Sequence, residues 1–215
     1  MTTTATELSF IHRFESGADR NTPPLLLLHG TGGDENDLIG LGRMVAPDAV
    51  LLSPRGKVSE GGMPRFFRRL AEGVFDEEDV KRRANELADF VGQAREAYDL
   101  PAPIALGFSN GANIAAATLL LRPEALAGAV LIRAMVPLAR PPAADLTGKP
   151  VLILSGAMDP MVPQDNAARL AALLSGAGAA VEHRTLPAGH GLSQADVALA
   201  RAFLTHAGSA IVSAA

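Results

Sequence analysis

Ser109 stands in Gly107-Phe108-Ser109-Asn110-Gly111, after the apolar run Pro103-Ile104-Ala105-Leu106 and before the small-residue run Ala112-Asn113-Ile114-Ala115-Ala116-Ala117. Strand, G-x-S-x-G and helix in that order make a turn so tight that the serine backbone is strained, and side chains at 107 or 111 would collide with neighbouring backbone. The hydroxyl then stands clear of the sheet at a helix N-terminus, where the free N–H of Asn110 can donate to a developing oxyanion. A hydroxyl is a weak nucleophile until a base takes its proton, and the base needs an anion to hold its tautomer. Asp159, in Ser155-Gly156-Ala157-Met158-Asp159-Pro160, and His190, in Pro187-Ala188-Gly189-His190-Gly191, supply both. Serine, acid, histidine is the chain order that accompanies a strand–turn–helix nucleophile. Spacings of 50 and 31 residues leave room for the strands and helices between them. Asp-Pro is also an ordinary turn-starting pair. A histidine between two glycines is harder to read as packing.

Other polar residues carry less. The loop His29-Gly30-Thr31-Gly32-Gly33 lets backbone approach a ligand closely and is a second site element. It has neither G-x-G-x-x-G nor a G-K-[ST] ending, so it is no phosphate cradle. His29 reads as the fastener of that loop, and His12, His183 and His206 as surface or edge residues. Asp34 and Asp37 sit where a helix cap is wanted. Ser53 and Ser155 lack the glycine bracket. No helical metal-ligand spacing such as H-E-x-x-H is present, so neither metal nor cofactor is expected.

These residues must be positioned by a sheet. Leu25–Leu28, Val50–Pro54, Ala129–Ile132 and Val151–Leu154 are short continuous apolar runs, the mark of strands buried on both faces. Leu8–Phe14 alternates weakly as an edge strand, and Ala180–Leu186 reads as the last strand. Glu77–Tyr98 carries a helical apolar stripe; Asp165–Leu174 and Gln194–His206 are helices, and 209–215 a frayed small-residue tail. Strands alternating with helices predict an α/β fold with a mostly parallel central sheet and helices on both faces, in one domain over 1–215. Its carboxyl edge is where such folds put their sites. The segment from Arg55 to Phe75 has no clear period and predicts a long loop, either a lid or pocket wall, or a loop anchored to the core by Phe66 and Phe67.

Composition narrows the rest. A net charge of −4 gives no reason to expect nucleic acid or an anionic membrane surface. Cysteine is absent, which excludes disulfides and thiol catalysis. Without a secretory signal at the N-terminus or an apolar run long enough to insert in a membrane, the expected location is cytoplasmic.

Leu28-His29-Gly30-Thr31-Gly32-Gly33, Gly107-Phe108-Ser109-Asn110-Gly111, Asp159 and Gly189-His190 resemble the phospholipase/carboxylesterase group of α/β-hydrolases, which includes the acyl-protein thioesterases. Met63–Gly73 is closer to a bacterial branch linked with hydroquinone resistance. The likeness runs from about Leu25 to Phe203. It implies Ser109 as nucleophile, His190 as base and then acid, Asp159 as its orienter, and the backbone N–H groups of Thr31 and Asn110 as oxyanion hole. It also implies a histidine or proline near Arg133-Ala134, where this chain departs. The expectation is an α/β-hydrolase fold without a large cap domain, cleaving carboxylic esters of small to medium apolar acyl or aryl groups. Acyl-protein thioesterase and lysophospholipase are the enzymatic alternatives, and a non-catalytic small-ligand binder the one of another class. Phe66, Phe67, Met135, Met161, Val162 and Leu192 are the pocket candidates. The expected partner is a small-molecule ester, and an edge strand would permit a homodimer.

Overall fold

The computed structural model describes residues 8–19 and 22–214. Seven strands form the main sheet: β1 (His12–Glu15), β2 (Leu25–Leu28), β3 (Leu51–Pro54), β8 (Ile104–Phe108), β9 (Gly128–Ile132), β10 (Pro150–Gly156) and β11 (Ala180–Leu186). Their spatial order is β1-β3-β2-β8-β9-β10-β11. Only β1, at one edge, runs antiparallel, against β3. Parallel strands need crossovers, and four of them run through helices: α1 (Ile39–Val45), α2 (Glu77–Tyr98), α3 (Asn110–Leu121) and α4 (Gln164–Gly176); β9 reaches β10 without a helix, and α5 (Gln194–Ala214) follows the last strand.

Alternation along the strands decides the two layers. Leu26, Leu28, Ala105, Leu131, Val151 and Ile153 face α2, α3 and α4, whereas Leu25, Leu27, Leu106, Val130, Leu152 and Leu154 face α1 and α5. The strands are buried on both sides, which is why they read as unbroken apolar runs. Helix α2 opens on Asp76, whose side chain accepts from the Asp79 N–H, and buries Val80, Ala84, Leu87, Phe90, Val91 and Ala94. Helix α3 is buried all round. Together these elements make the α/β-hydrolase architecture, with no large cap domain among the described residues.

Three expectations need correction. The segment after β3 is two small hairpins rather than a loop: β4 (Val58–Glu60) with β5 (Met63–Arg65), and β6 (Arg69–Ala71) with β7 (Val74–Phe75). Helix α1 is preceded by Leu38 in the cap position, which gives no side-chain cap, and Asp34 instead accepts from the Asn36 N–H inside the loop. Helix α5 runs to Ala214, past the His206 end expected from the sequence. Three of residues 207–214 are alanine, the best helix former. None of the helices among the described residues is long and apolar enough to cross a membrane.

Candidate active site

Strand order turns back between β2 and β8: the chain leaves β2 toward β3, and after β8 it runs the other way through β9, β10 and β11. Ligands in open α/β sheets bind outside the carboxyl ends of the strands at such a point. Thr31 follows β2, Ser109 follows β8, Asp159 follows β10 and His190 follows β11, so parallel pairing brings all four to one edge.

Ser109 has φ 52° and ψ −113°, in the left-handed half of backbone space where a non-glycine residue is strained. The turn is held by the Ser109 N–H donating to Ile132 O at 2.8 Å. Around it the chain cannot carry side chains: a Cβ on Gly107 would lie 2.6 Å from the Ala112 nitrogen, and one on Gly111 only 1.9 Å from Leu28 O.

His190 bridges the other two groups. Its Nδ1 is 2.8 Å from Asp159 Oδ2 and its Nε2 is 3.0 Å from Ser109 Oγ. With the proton on Nδ1, the ring donates to the carboxylate and leaves Nε2 to accept from the serine hydroxyl. The Asp159 side chain is fully buried, and its other oxygen accepts from the N–H groups of Met161 and Val162 at 2.8 and 3.2 Å. The acid is thus fixed by its own loop before it fixes the histidine.

The cleft beside Ser109 encloses only ≈ 40 Å³ and includes Thr31, Asn110, Met135, Met161, Val162 and His190 in its lining. Phe66 and Phe67 do not line it. Both are buried core side chains, Phe66 against the His29 ring and Phe67 edge-on to Phe75. Leu192 is 43% exposed and also outside the lining, because Arg133 occupies the inner side of its loop. The second hairpin does form a wall, but through Arg69, Glu72, Gly73 and Phe75, which nothing in the sequence pattern singles out. Those strands are two and three residues long and show no period. Phe67→Ala should therefore cost about 3–5 kcal/mol of stability. That is a fall in Tm of roughly 10 °C for a chain of this size, with ester chain-length preference unchanged. A shifted preference at wild-type Tm would return the ring to the cleft.

Side-chain amides fasten the loops. Asn110 Oδ1 accepts from the Phe66 N–H at 2.7 Å, Asn113 Oδ1 from Met135 at 2.7 Å and Asn166 Oδ1 from Val136 at 2.8 Å. The Thr31 loop is held by Gly32 N–H donating to Pro64 O at 3.0 Å. His29, buried behind it, reaches Gly30 O at 2.6 Å through Nδ1 and accepts from the Gly56 N–H at 3.0 Å through Nε2.

Burial lowers the His29 pKa below its ordinary 6.5. Between the lowered value and 6.5 the folded protein binds fewer protons than the unfolded chain, so stability rises with pH through that window and is lost as pH falls through it. His29→Gln should lower Tm at pH 7 and flatten the Tm curve below about pH 6.5. An unchanged slope would assign the acid sensitivity to other groups, such as His183, which burial also lowers.

Two features elsewhere could be taken for sites. Ser155 Oγ is 2.8 Å from His183 Nε2 and 3.2 Å from Thr185 Oγ1. It is buried inside β10, between β9 and β11, with neither a strained turn nor a helix N-terminus beside it, so the pairing satisfies a buried hydroxyl. A cavity of ≈ 610 Å³ includes Thr22, Pro23, Leu25, Ala46, Ile104 and Leu204 in its lining, at the amino ends of β2 and β8. Volume alone would select it, but among the described residues no serine, cysteine or histidine lines it, so chemistry selects the smaller cleft.

Residues 11–207 match the family described as phospholipase/carboxylesterase. MhqD of Bacillus subtilis (strain 168), which carries a hydrolase designation, is 45% identical over 192 residues, 88% of this chain and 95% of that protein. A carboxylesterase structure from Bacillus cereus is similar at TM-score 0.90 and 45% identity, covering 93% of this chain and 95% of its own. The structure of YahD with malic acid is similar at TM-score 0.87 and 32% identity, covering 92% and 99%.

Proposed function

Because this chain belongs to the phospholipase/carboxylesterase family of α/β-hydrolases, we propose that it is a serine esterase cleaving carboxylic esters of small to medium apolar acyl or aryl groups through an acyl-enzyme intermediate. The observation that carries this reading is the chain of contacts from Asp159 through His190 to Ser109, at 2.8 and 3.0 Å, ending on a strained serine. His190 Nε2 takes the hydroxyl proton as Ser109 Oγ bonds to the ester carbonyl carbon. The carbonyl electron pair moves onto oxygen, facing the N–H groups of Thr31 and Asn110 in the cleft lining. Collapse expels the alcohol, which takes the proton from His190. A water molecule, deprotonated by the same nitrogen, then releases the acid and restores Ser109.

The narrow cleft and its Met135, Met161 and Val162 lining favour short apolar groups. A second reading has a specific observation behind it: Arg69 lines the cleft, and YahD, a relative, was solved with malic acid. Both favour acyl groups that end in a carboxylate. A fluorophosphonate should label Ser109. A panel of p-nitrophenyl esters from butyrate to octanoate, a hemisuccinate ester, an acyl-thioester and a lysophospholipid then ranks the substrates. We expect the apolar esters to lead. A hemisuccinate turned over faster than butyrate would establish the second reading, and preference for the thioester or lysophospholipid would replace both. Failure to label Ser109 would remove the serine mechanism.

A further inference from the structure

We infer that Arg133 is a positioning residue for His190, acting through the loop on either side of it; this rests on the esterase reading above. The His190 loop is Gly189-His190-Gly191, and its two glycines have no side chains with which to pack the histidine in place. Arg133 replaces that packing with hydrogen bonds. Its Nε donates to Gly189 O at 2.8 Å and its Nη2 to Gly191 O at 3.2 Å, one carbonyl on each flank of the histidine. Nη1 donates to Leu154 O in β10 at 3.2 Å. The two terminal nitrogens also meet the two oxygens of Asp196, each at 2.9 Å.

Asp196 is itself tied down. Its Oδ2 accepts from the N–H and the hydroxyl of Ser193 at 2.8 and 2.7 Å, in the first turn of α5. One planar cation therefore joins β10, the His190 loop and α5, and both members of the ion pair have side chains with 0% exposure. Arg133 takes up this post from a strained backbone, φ 57°, just past the end of β9.

Stability alone does not explain the arrangement. Replacing a buried ion pair by apolar side chains of similar volume is often neutral or stabilising. A guanidinium offers something those side chains lack, five donors in a rigid fork that can grip two carbonyls and a carboxylate at once. Lysine has the charge without the fork.

The two roles separate in a double substitution. Arg133→Met with Asp196→Leu removes the fork without leaving a buried charge unpaired; it also loses the Ser193–Asp196 contacts and frees three carbonyls, so Tm should fall, by roughly 10 °C, with the fold retained. A histidine displaced by about 1 Å costs on the order of 10²-fold in rate. We expect kcat to fall by about that factor with KM within about threefold, since the Arg133 guanidinium, although the residue belongs to the cleft lining, is fully buried and taken up by the His190 loop, Leu154 O and Asp196. Arg133→Lys should rescue part of the loss, to roughly tenfold below wild type, because an ammonium can satisfy Asp196 and one flank only. A folded double variant with kcat within twofold of wild type overturns the inference. So does a drop in kcat no larger than the unfolded fraction. If the double variant does not fold, a folded Arg133→Lys protein with wild-type kcat overturns it instead. Ser109→Ala beside them keeps the two readings apart: if it is active the esterase assignment fails, and if it is dead while the Arg133 variants are unaffected only the positioning role fails.

Discussion

Ser109→Ala folds as the wild type does and loses esterase turnover by roughly 10⁶-fold. The loss is that large because the hydroxyl forms the covalent bond, and nothing else in the cleft can take its place within 3.0 Å of His190 Nε2. His190→Ala should cost nearly as much, since the serine is then left with a solvent base. Asp159→Asn should cost less, about 10⁴-fold, because an amide facing Nδ1 favours the wrong tautomer without removing the base. The three substitutions should not add, because each disables the same unit. Tm and fluorophosphonate labelling on each variant separate lost chemistry from lost fold. A Ser109→Ala protein keeping a tenth of wild-type activity would move the nucleophile elsewhere. Ser155, 2.8 Å from its own histidine, would be the first residue to test.

Gly111→Ala should be as damaging to the fold as Ser109→Ala is to the chemistry. The added methyl would lie 1.9 Å from Leu28 O, 2.4 Å from Leu28 C and 2.6 Å from His29 O. All three are backbone atoms of β2 and the loop beyond it, so no side chain can swing aside. Helix α3 would have to move off the sheet, and with it the N–H of Asn110. Overpacking of this kind exceeds the usual 1–3 kcal/mol, and we expect a loss of about 4 kcal/mol or more. Gly92→Ala is the control. It sits inside α2 with nothing within 4 Å of the added methyl, so it should raise stability by roughly 0.5–1 kcal/mol. Thermal melts of the two proteins side by side provide the test. A Gly111→Ala protein that melts with the wild type would mean that β2 and α3 are less closely joined than these distances state.

What the chain alone makes legible is whatever local physics decides. Leu25–Leu28, Ala129–Ile132 and Val151–Leu154 could be little other than strands buried on both faces, and each is one or the core of one. The bracketing glycines, the loop positions and the chain order point to Ser109, Asp159 and His190 as a set, and the fold brings them within hydrogen-bonding distance. What could not be read depends on distant partners. Arg133 reads from sequence only as a departure from the family pattern, and its role is hidden because its partner, Asp196, lies 63 residues further on. The direction in which Phe66 and Phe67 point was undecidable from the hairpin alone. It is set by His29 and the amide of Asn110, from two other places in the chain, together with Phe75 at the end of the second hairpin. Hairpins with strands of two and three residues leave no periodicity to detect.

The second hairpin hangs from the core by buried rings behind it, and the nucleophile turn sits on the far side of the cleft from its tip. Leu70 and Val74 are exposed, and Glu72 and Gly73 lie between them. Substitutions at Leu70, Glu72 and Val74 meet little packing, so they cost the fold little, whereas Gly73, at φ 72°, is held to glycine by its backbone. On the esterase reading proposed above, the exposed tip is the part of the wall that can change at little cost to the fold, whereas the glycine-bracketed turn at Ser109 cannot. A change at Glu72, which is exposed and also lines the cleft, should therefore alter substrate preference before it alters stability.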